Sequence, residues 1–332
     1  MTEPPANQAI RWSFDRSNPV VRPGQIHGEL DARRAGAAHV LRLGDRYRMY
    51  YWATGSDGVN RICCAESDAT NPNDWRPLGC CLAPQPNTEY NHNGPSFPFV
   101  LPADDKPWLM FFCAWGQARA EGKLPNTTGV AVSHDGGRSW RYGADRPVLA
   151  LDRPYDREGT GSCCVLRVGG ELRMYYTAIG SYFRRPEGVR TGHGDVIPRI
   201  GIAYAVSRDG LNWQKPLPEL MISPRGFGAD PYEYICSKPF VVRRPGGYRM
   251  WVSTFGPAYR IRSLTSSDGL NWAWRPSRPD GDLGVGEPGR FDDQQRCYAS
   301  VVPDGGRYLC WYTGNGFGTS GIGFATGAAE EA

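Results

Sequence analysis

Six carboxylates fall at matching places along the chain. Counting back nineteen residues from the aromatics Tyr50, Phe111, Tyr175, Trp251 and Trp311 reaches Asp31, His92, Asp156, Tyr232 and Asp292. One residue further on are Ala32, Asn93, Arg157, Glu233 and Asp293, and Glu158 adds another acid. Carboxylates that converge from separate parts of a fold cannot all stay ionised cheaply, and crowding raises the proton affinity of at least one. A protonated carboxylic acid beside an ionised partner is the arrangement that cleaves a glycosidic bond. Equivalent positions in a repeat protein are also polar simply because they lie on a rim, and from the sequence both readings stay open.

The aromatics used for counting belong to a repeated stretch. YRMYYWA begins at 47, WLMFFCA at 108, LRMYYTA at 172, YRMWVST at 248 and YLCWYTG at 308, and four of the six methionines stand in its third column. The first four copies are followed by a strand, a tight turn of S-x-D-G type in three of them, and a tryptophan: Trp75, Trp140, Trp213 and Trp272. Asp bonds nearby backbone N–H groups in such turns, and Gly permits positive φ. A further apolar run precedes each copy, so each unit reads as a four-stranded antiparallel meander, and several such units at a long period favour a propeller.

Five units follow, over about 22–75, 82–140, 148–213, 220–272 and 285–327. The last lacks a final strand and tryptophan, while RWSFDRSNPVV at the N-terminus resembles WRYGADRPVL at 140–149. The expected fold is therefore an all-β, five-bladed β-propeller forming a single domain over 1–332, its last blade completed by residues 10–21. Closure of this kind removes exposed sheet edges. The blade-linking acids should then converge on one mouth of an axial channel.

Composition narrows the partners. Thirty-eight basic and thirty-four acidic residues are scattered without a basic stripe, which argues against nucleic acid. No apolar run approaches a membrane span, and MTEPPANQAIRW lacks the pattern of a secretory leader, so a soluble, cytoplasmic protein is expected. The ten cysteines include adjacent pairs whose side chains alternate across a strand, and no metal-binding spacing occurs, so buried thiols with no metal and no cofactor are the reading. Oligomeric state is not legible.

Through its five units, its S-x-D-G-x-x-W turns and its N-terminal closure, the chain from 10 to 327 resembles the five-bladed β-propeller glycoside hydrolase superfamily. That superfamily includes the arabinanase and β-xylosidase family 43, the invertase and levansucrase families, and the family 130 mannoside phosphorylases. The resemblance implies a glycosidase acting on a small saccharide or glycoconjugate, with inversion favoured. It assigns Asp31 as base or nucleophile, Asp156 as the acid that positions substrate, with Glu158 a second candidate for that role, and Glu233 as general acid. W-M-N-D-P-N-G and R-D-P are absent.

Substrate contacts are expected from His92, Asn93, Arg157, Glu158, Asp292 and Asp293 at the rim. Arg185 and His193 would join them from a long loop at 179–199. Such guanidinium groups also suit an anionic substrate. Lys238 together with Arg157 or Arg33 would hold phosphate if the enzyme is a phosphorylase. A non-hydrolytic tailoring enzyme for a sugar-bearing metabolite and a non-catalytic sugar-binding propeller are the remaining alternatives.

Overall fold

Short apolar runs broken by glycine-bearing turns form hairpins wherever neighbouring strands can bury a face. The computed structural model describes residues 9–104, 107–117, 126–189 and 194–329, and nearly all its regular structure is strand. After β1 (Ile10–Phe14) come β2 (Arg34–Leu43), β3 (Arg46–Thr54), β4 (Asn60–Asp68) and β5 (Asn71–Leu82). The second meander is β6 (Gly94–Leu101), β7 (Trp108–Trp115), β8 (Asn126–Ser133) and β9 (Arg141–Tyr142). The third holds β10 (Gly159–Val168), β11 (Glu171–Arg184) and β12 (Val196–Ser207). The fourth holds β13 (Ile235–Arg244), β14 (Gly247–Phe255), β15 (Tyr259–Ser266) and β16 (Ala273–Trp274). The chain ends with β17 (Cys297–Asp304), β18 (Arg307–Thr313), the single turn α1 (Asn315–Gly318) and β19 (Ile322–Ala329).

Strands β2 to β5 and β6 to β9 each form a four-stranded antiparallel sheet, and β1 completes a third in the order β1-β19-β18-β17. Ile10 to Phe14 run antiparallel to Ala329 to Ala325, as the unfinished last unit required. The third and fourth meanders differ from expectation. They form one seven-stranded sheet, because Ile200 of β12 and Ile235 of β13 meet in a single parallel bridge. The long loop expected at 179–199 is also largely hairpin, since β11 and β12 stay paired out to Arg184 and Val196.

The counting aromatics lock each meander to the next. Tyr50 meets Trp140 edge-on at 5.9 Å, Phe111 meets Trp213 at 5.7 Å and Tyr175 meets Trp272 at 5.8 Å. Trp251 meets Tyr308 at 5.5 Å, and Trp311 returns to Trp75 at 6.0 Å. Two of the phenols also donate into the neighbouring S-x-D-G or D-G-G turn, Tyr50 to the Gly137 carbonyl (2.7 Å) and Tyr175 to that of Gly269 (2.9 Å). The first strands follow the same order: β2 packs on β6, β6 on β10, β10 on β13, β13 on β17, and β17 on β2.

A second set of contacts runs the opposite way. Each first strand carries a bulge, and four bulges hold a non-glycine residue at positive φ: Ala37 (47°), Phe97 (49°), Lys238 (49°) and Tyr298 (59°). Three of these N–H groups donate to hydroxyls of the preceding meander, Ala37 to Thr313 (2.8 Å), Lys238 to Thr177 (2.9 Å) and Tyr298 to Ser253 (2.8 Å). Strained backbone of this sort persists only where its surroundings over-determine it. Thr313→Val keeps the shape but leaves the buried Ala37 N–H without an acceptor, so stability should fall by about 1 to 3 kcal/mol. Urea denaturation would measure this, and an unchanged midpoint would contradict it.

Candidate active site

Pairing between strands corrects one count. His39–Tyr50, Cys164–Tyr175, Phe240–Trp251 and Ser300–Trp311 are paired across hairpins, and in the second meander the pair is Phe99–Phe111, one residue longer. The residue equivalent to Asp31 is therefore Asn91, which is fully buried, and not the half-buried His92.

The aspartates of the column are also buried, and each is held by a phenol of its own meander. Tyr51 donates to Asp31 (2.6 Å), Tyr176 to Asp156 (2.8 Å) and Tyr312 to Asp292 (2.8 Å). Where the column lacks Asp, the matching position lacks the phenol: Asn91 goes with Phe112 and Tyr232 with Val252. Burial, reinforced by the adjacent carboxylate, pushes all three phenols up, so they stay protonated and donate. Further donors complete each cage. The His27 N–H reaches Asp31, Lys215 and the Arg153 N–H reach Asp156, and Arg296 reaches Asp292 at 2.6 Å.

Glu233 is just as enclosed. Thr254 (2.9 Å) and Arg262 donate to its Oε1, and Arg225 (3.3 Å) to its Oε2. Asp31, Asp156 and Glu233 form no hydrogen bond or ion pair with one another among the described residues.

The remaining expected residues are spread out. Arg33 is exposed, and Asn93 donates to the Gly116 carbonyl (2.6 Å). His92 hydrogen-bonds the Pro86 carbonyl (2.8 Å). Arg157 reaches the Gly180 carbonyl (3.1 Å) and lies 3.8 Å from Glu158, whose side chain is 20% exposed. Asp293 caps its own loop through Gly289 and Asn315, and these bonds hold its carboxyl below the usual range. Arg185 is occupied by Asp195 and the Val189 carbonyl, and His193 lies outside the described residues. Lys238 is buried in the bulge, its Nζ donating to the Ala299 carbonyl (3.1 Å).

Counting did not find the group of side chains where the first strands begin. Arg34 opens β2 and lies 4.2 Å above the Trp52 ring. Trp52 donates to Asn60 (3.0 Å) and packs on Phe97 (5.3 Å) and Trp115 (6.4 Å). Phe97 in turn meets Tyr298 at 4.9 Å. Trp52 was visible as the one large residue in a column otherwise filled by Cys113, Thr177, Ser253 and Thr313. Asp292 faces elsewhere, lining a cleft of about 1100 Å³ between the fourth and last meanders with Trp12, Arg249, Asp282 and Arg296.

No protein-family profile matches the chain. It is 32% identical over 305 residues to the uncharacterized protein Rv1502 of Mycobacterium tuberculosis H37Rv, covering 90% of this chain and 94% of that protein. The chain belongs to the Rv1502 family. MT1551 of strain CDC 1551, also uncharacterized, matches at the same 32% identity.

Among solved structures, a complex of BT0996 with RGII is 19% identical with TM-score 0.71, covering 100% of this chain and 92% of that one. A structure from the family 130 mannoside phosphorylases, a family containing hydrolases of β-1,2 mannosidic linkages in Candida mannan, is 13% identical with TM-score 0.70 over 99% of both chains. A thermostable family-43 glycoside hydrolase is 20% identical with TM-score 0.59, covering 93% and 91%. The Rv1502-family chain thus shares the β-propeller-like fold of this glycoside hydrolase superfamily.

Two outcomes test these environments. In a double-mutant cycle, Asp31→Asn and Tyr51→Phe should couple by about 1.5 to 3 kcal/mol, the range for a hydrogen bond to a charged group, and additive effects would contradict the pairing. Burial lowers Lys238 from its ordinary 10.5 to about 8. Between those values the unfolded chain keeps a proton that the folded chain has lost, so stability rises with pH by up to about 1.4 kcal/mol per unit. Lys238→Met should remove that rise. Urea midpoints of the two proteins compared at about pH 7 and about pH 10 would show it, and a constant difference would contradict it.

Proposed function

We propose that the chain is a five-bladed β-propeller of one domain, acting on the glycosidic bond of a small saccharide or glycoconjugate by general acid/base catalysis. The observation that carries this reading is the aromatic group at the start of the first strands, where the half-buried Phe97 and Trp115 of the second meander flank Trp52, itself only 6% exposed, beside the amide of Asn60. Flat apolar rings edged by polar groups suit the face and hydroxyls of a sugar. The circuit of aromatic contacts through all the meanders supports the count of five, and the likeness to glycoside hydrolases supports the reaction class.

Proton transfer is assigned to Glu158 and Glu233. Glu158 precedes β10 and keeps part of its carboxylate surface at the rim. On Glu233, Oε2 pairs with Arg225, whose side chain is itself 28% exposed, so a substrate that displaces this guanidinium reaches the carboxyl. In hydrolysis one carboxyl protonates the leaving oxygen while the other activates water, which inverts the anomeric centre. Asp31 and Asp156, engaged on all sides, act here as positioning residues that fix where their first strands begin.

Glu158→Gln and Glu233→Gln, assayed on aryl furanosides and pyranosides with and without phosphate, should each lose about a hundredfold or more in kcat/KM. Asp31→Asn should show a lowered Tm together with any lost rate. Full activity in both glutamate variants would refute the assignment. Product release that requires phosphate would replace hydrolysis with phosphorolysis.

A further inference from the structure

Building on the reading of this mouth as a saccharide site, we infer that its ligand carries a carboxylate and that Arg34 receives it. The Arg34 side chain forms no hydrogen bond and no ion pair among the described residues, and its Nε–H is buried without an acceptor. It is half-buried, with the guanidinium carbon 4.2 Å from the centre of the Trp52 ring. The Tyr298 phenol lies beside it, but burial pushes that phenol well up, so it stays neutral and leaves the cation unbalanced. A cation withdrawn from water without a partner costs stability and is retained where a ligand supplies the partner. With its carbon over the Trp52 ring, the guanidinium keeps donors that can fork onto two oxygens.

Charge and surroundings favour a carboxylate over a phosphate. One unmatched guanidinium balances one negative charge, and phosphate would draw on a second cation. Of the nearby cations, Arg61, Arg260 and Lys238 are committed, and Arg33 stands exposed to solvent. Arg61 pairs with Asp57 and the Leu30 carbonyl, and Arg260 donates to the carbonyls of Tyr259 and Gln294. Lys238 is turned to the Ala299 carbonyl, and Arg33 is exposed beside Gly58. The ligand class that fits both the aromatic rings and the single guanidinium is a hexuronic acid, free or as a residue of an acidic glycan.

Calorimetric titration with methyl glycosides of hexuronic acids, the matched neutral methyl hexosides and inorganic phosphate tests this without needing turnover. The hexuronides should bind at least about tenfold more tightly than the neutral sugars, the worth of one charge-assisted pair. Arg34→Gln should erase that preference without lowering Tm, and Arg34→Lys, which keeps charge and stem, should retain part of it. Equal binding of acidic and neutral sugars, or a preference that survives Arg34→Gln, would overturn the inference. So would Arg34-dependent binding of phosphate with none of hexuronide. Hexuronide binding through Arg34 with no turnover of any glycoside would uphold it and remove the catalytic reading instead. Turnover of neutral glycosides with no preference for hexuronides in either binding or kcat/KM would do the reverse.

Discussion

The fold depends on how each meander grips its neighbours. In one direction an aromatic of the second strand meets an aromatic of the next meander, from Tyr50 on Trp140 around to Trp311 on Trp75. In the other direction a strained bulge N–H donates to a hydroxyl of the preceding meander, as Ala37 does to Thr313. Each contact is worth only about a kilocalorie or so, but a meander released at one side loses both kinds together. Because the last meander returns to the first, no unit can slide without breaking contacts on two faces. That rigidity places the first-strand bulges, and with them the side chains at the mouth.

The buried aspartates are bound into their own meanders. A carboxylate enclosed by a phenol, backbone N–H groups and a cation, as Asp156 is by Tyr176, Arg153 and Lys215, has its oxygens turned into the protein. Breaking such a pair leaves an uncompensated charge and costs several kcal/mol, which makes it a firm anchor for the strand that follows. Departures from the repeat carry the opposite message. Trp52 stands where other meanders put a small residue, and Arg34 opens its strand as a cation without a counterion. Sites where a sequence breaks its own local rules are where function tends to concentrate.

Much of the fold was legible because each counting aromatic has one job, to meet the neighbouring meander, so its column survives in every unit. The N-terminal completion of the last sheet was legible for the same reason, since an unfinished meander leaves an open edge. The extra residue in the β6–β7 hairpin was not legible, because a turn absorbs it without disturbing the apolar pattern, and it moved the count from Asn91 to His92. The partners of the acids were legible but went unread: Asp31 with Tyr51, Asp156 with Tyr176 and Asp292 with Tyr312 share one spacing, and the folded chain joins each pair by a hydrogen bond. Arg34 could not be singled out, since only the folded chain shows which of many arginines lacks a partner.

The central claim is that ligand binds at Arg34 beside Phe97 and Trp115 while the buried aspartates stay engaged with their phenols. A crystal structure with a bound hexuronide tests it most directly. The account expects the sugar ring against Phe97 and Trp115, its carboxylate on the Arg34 guanidinium, and Asp31, Asp156 and Asp292 still bonded to Tyr51, Tyr176 and Tyr312. Ligand lodged instead in the cleft between the fourth and last meanders, beside Asp282 and Asp292, with the mouth unoccupied, would contradict it.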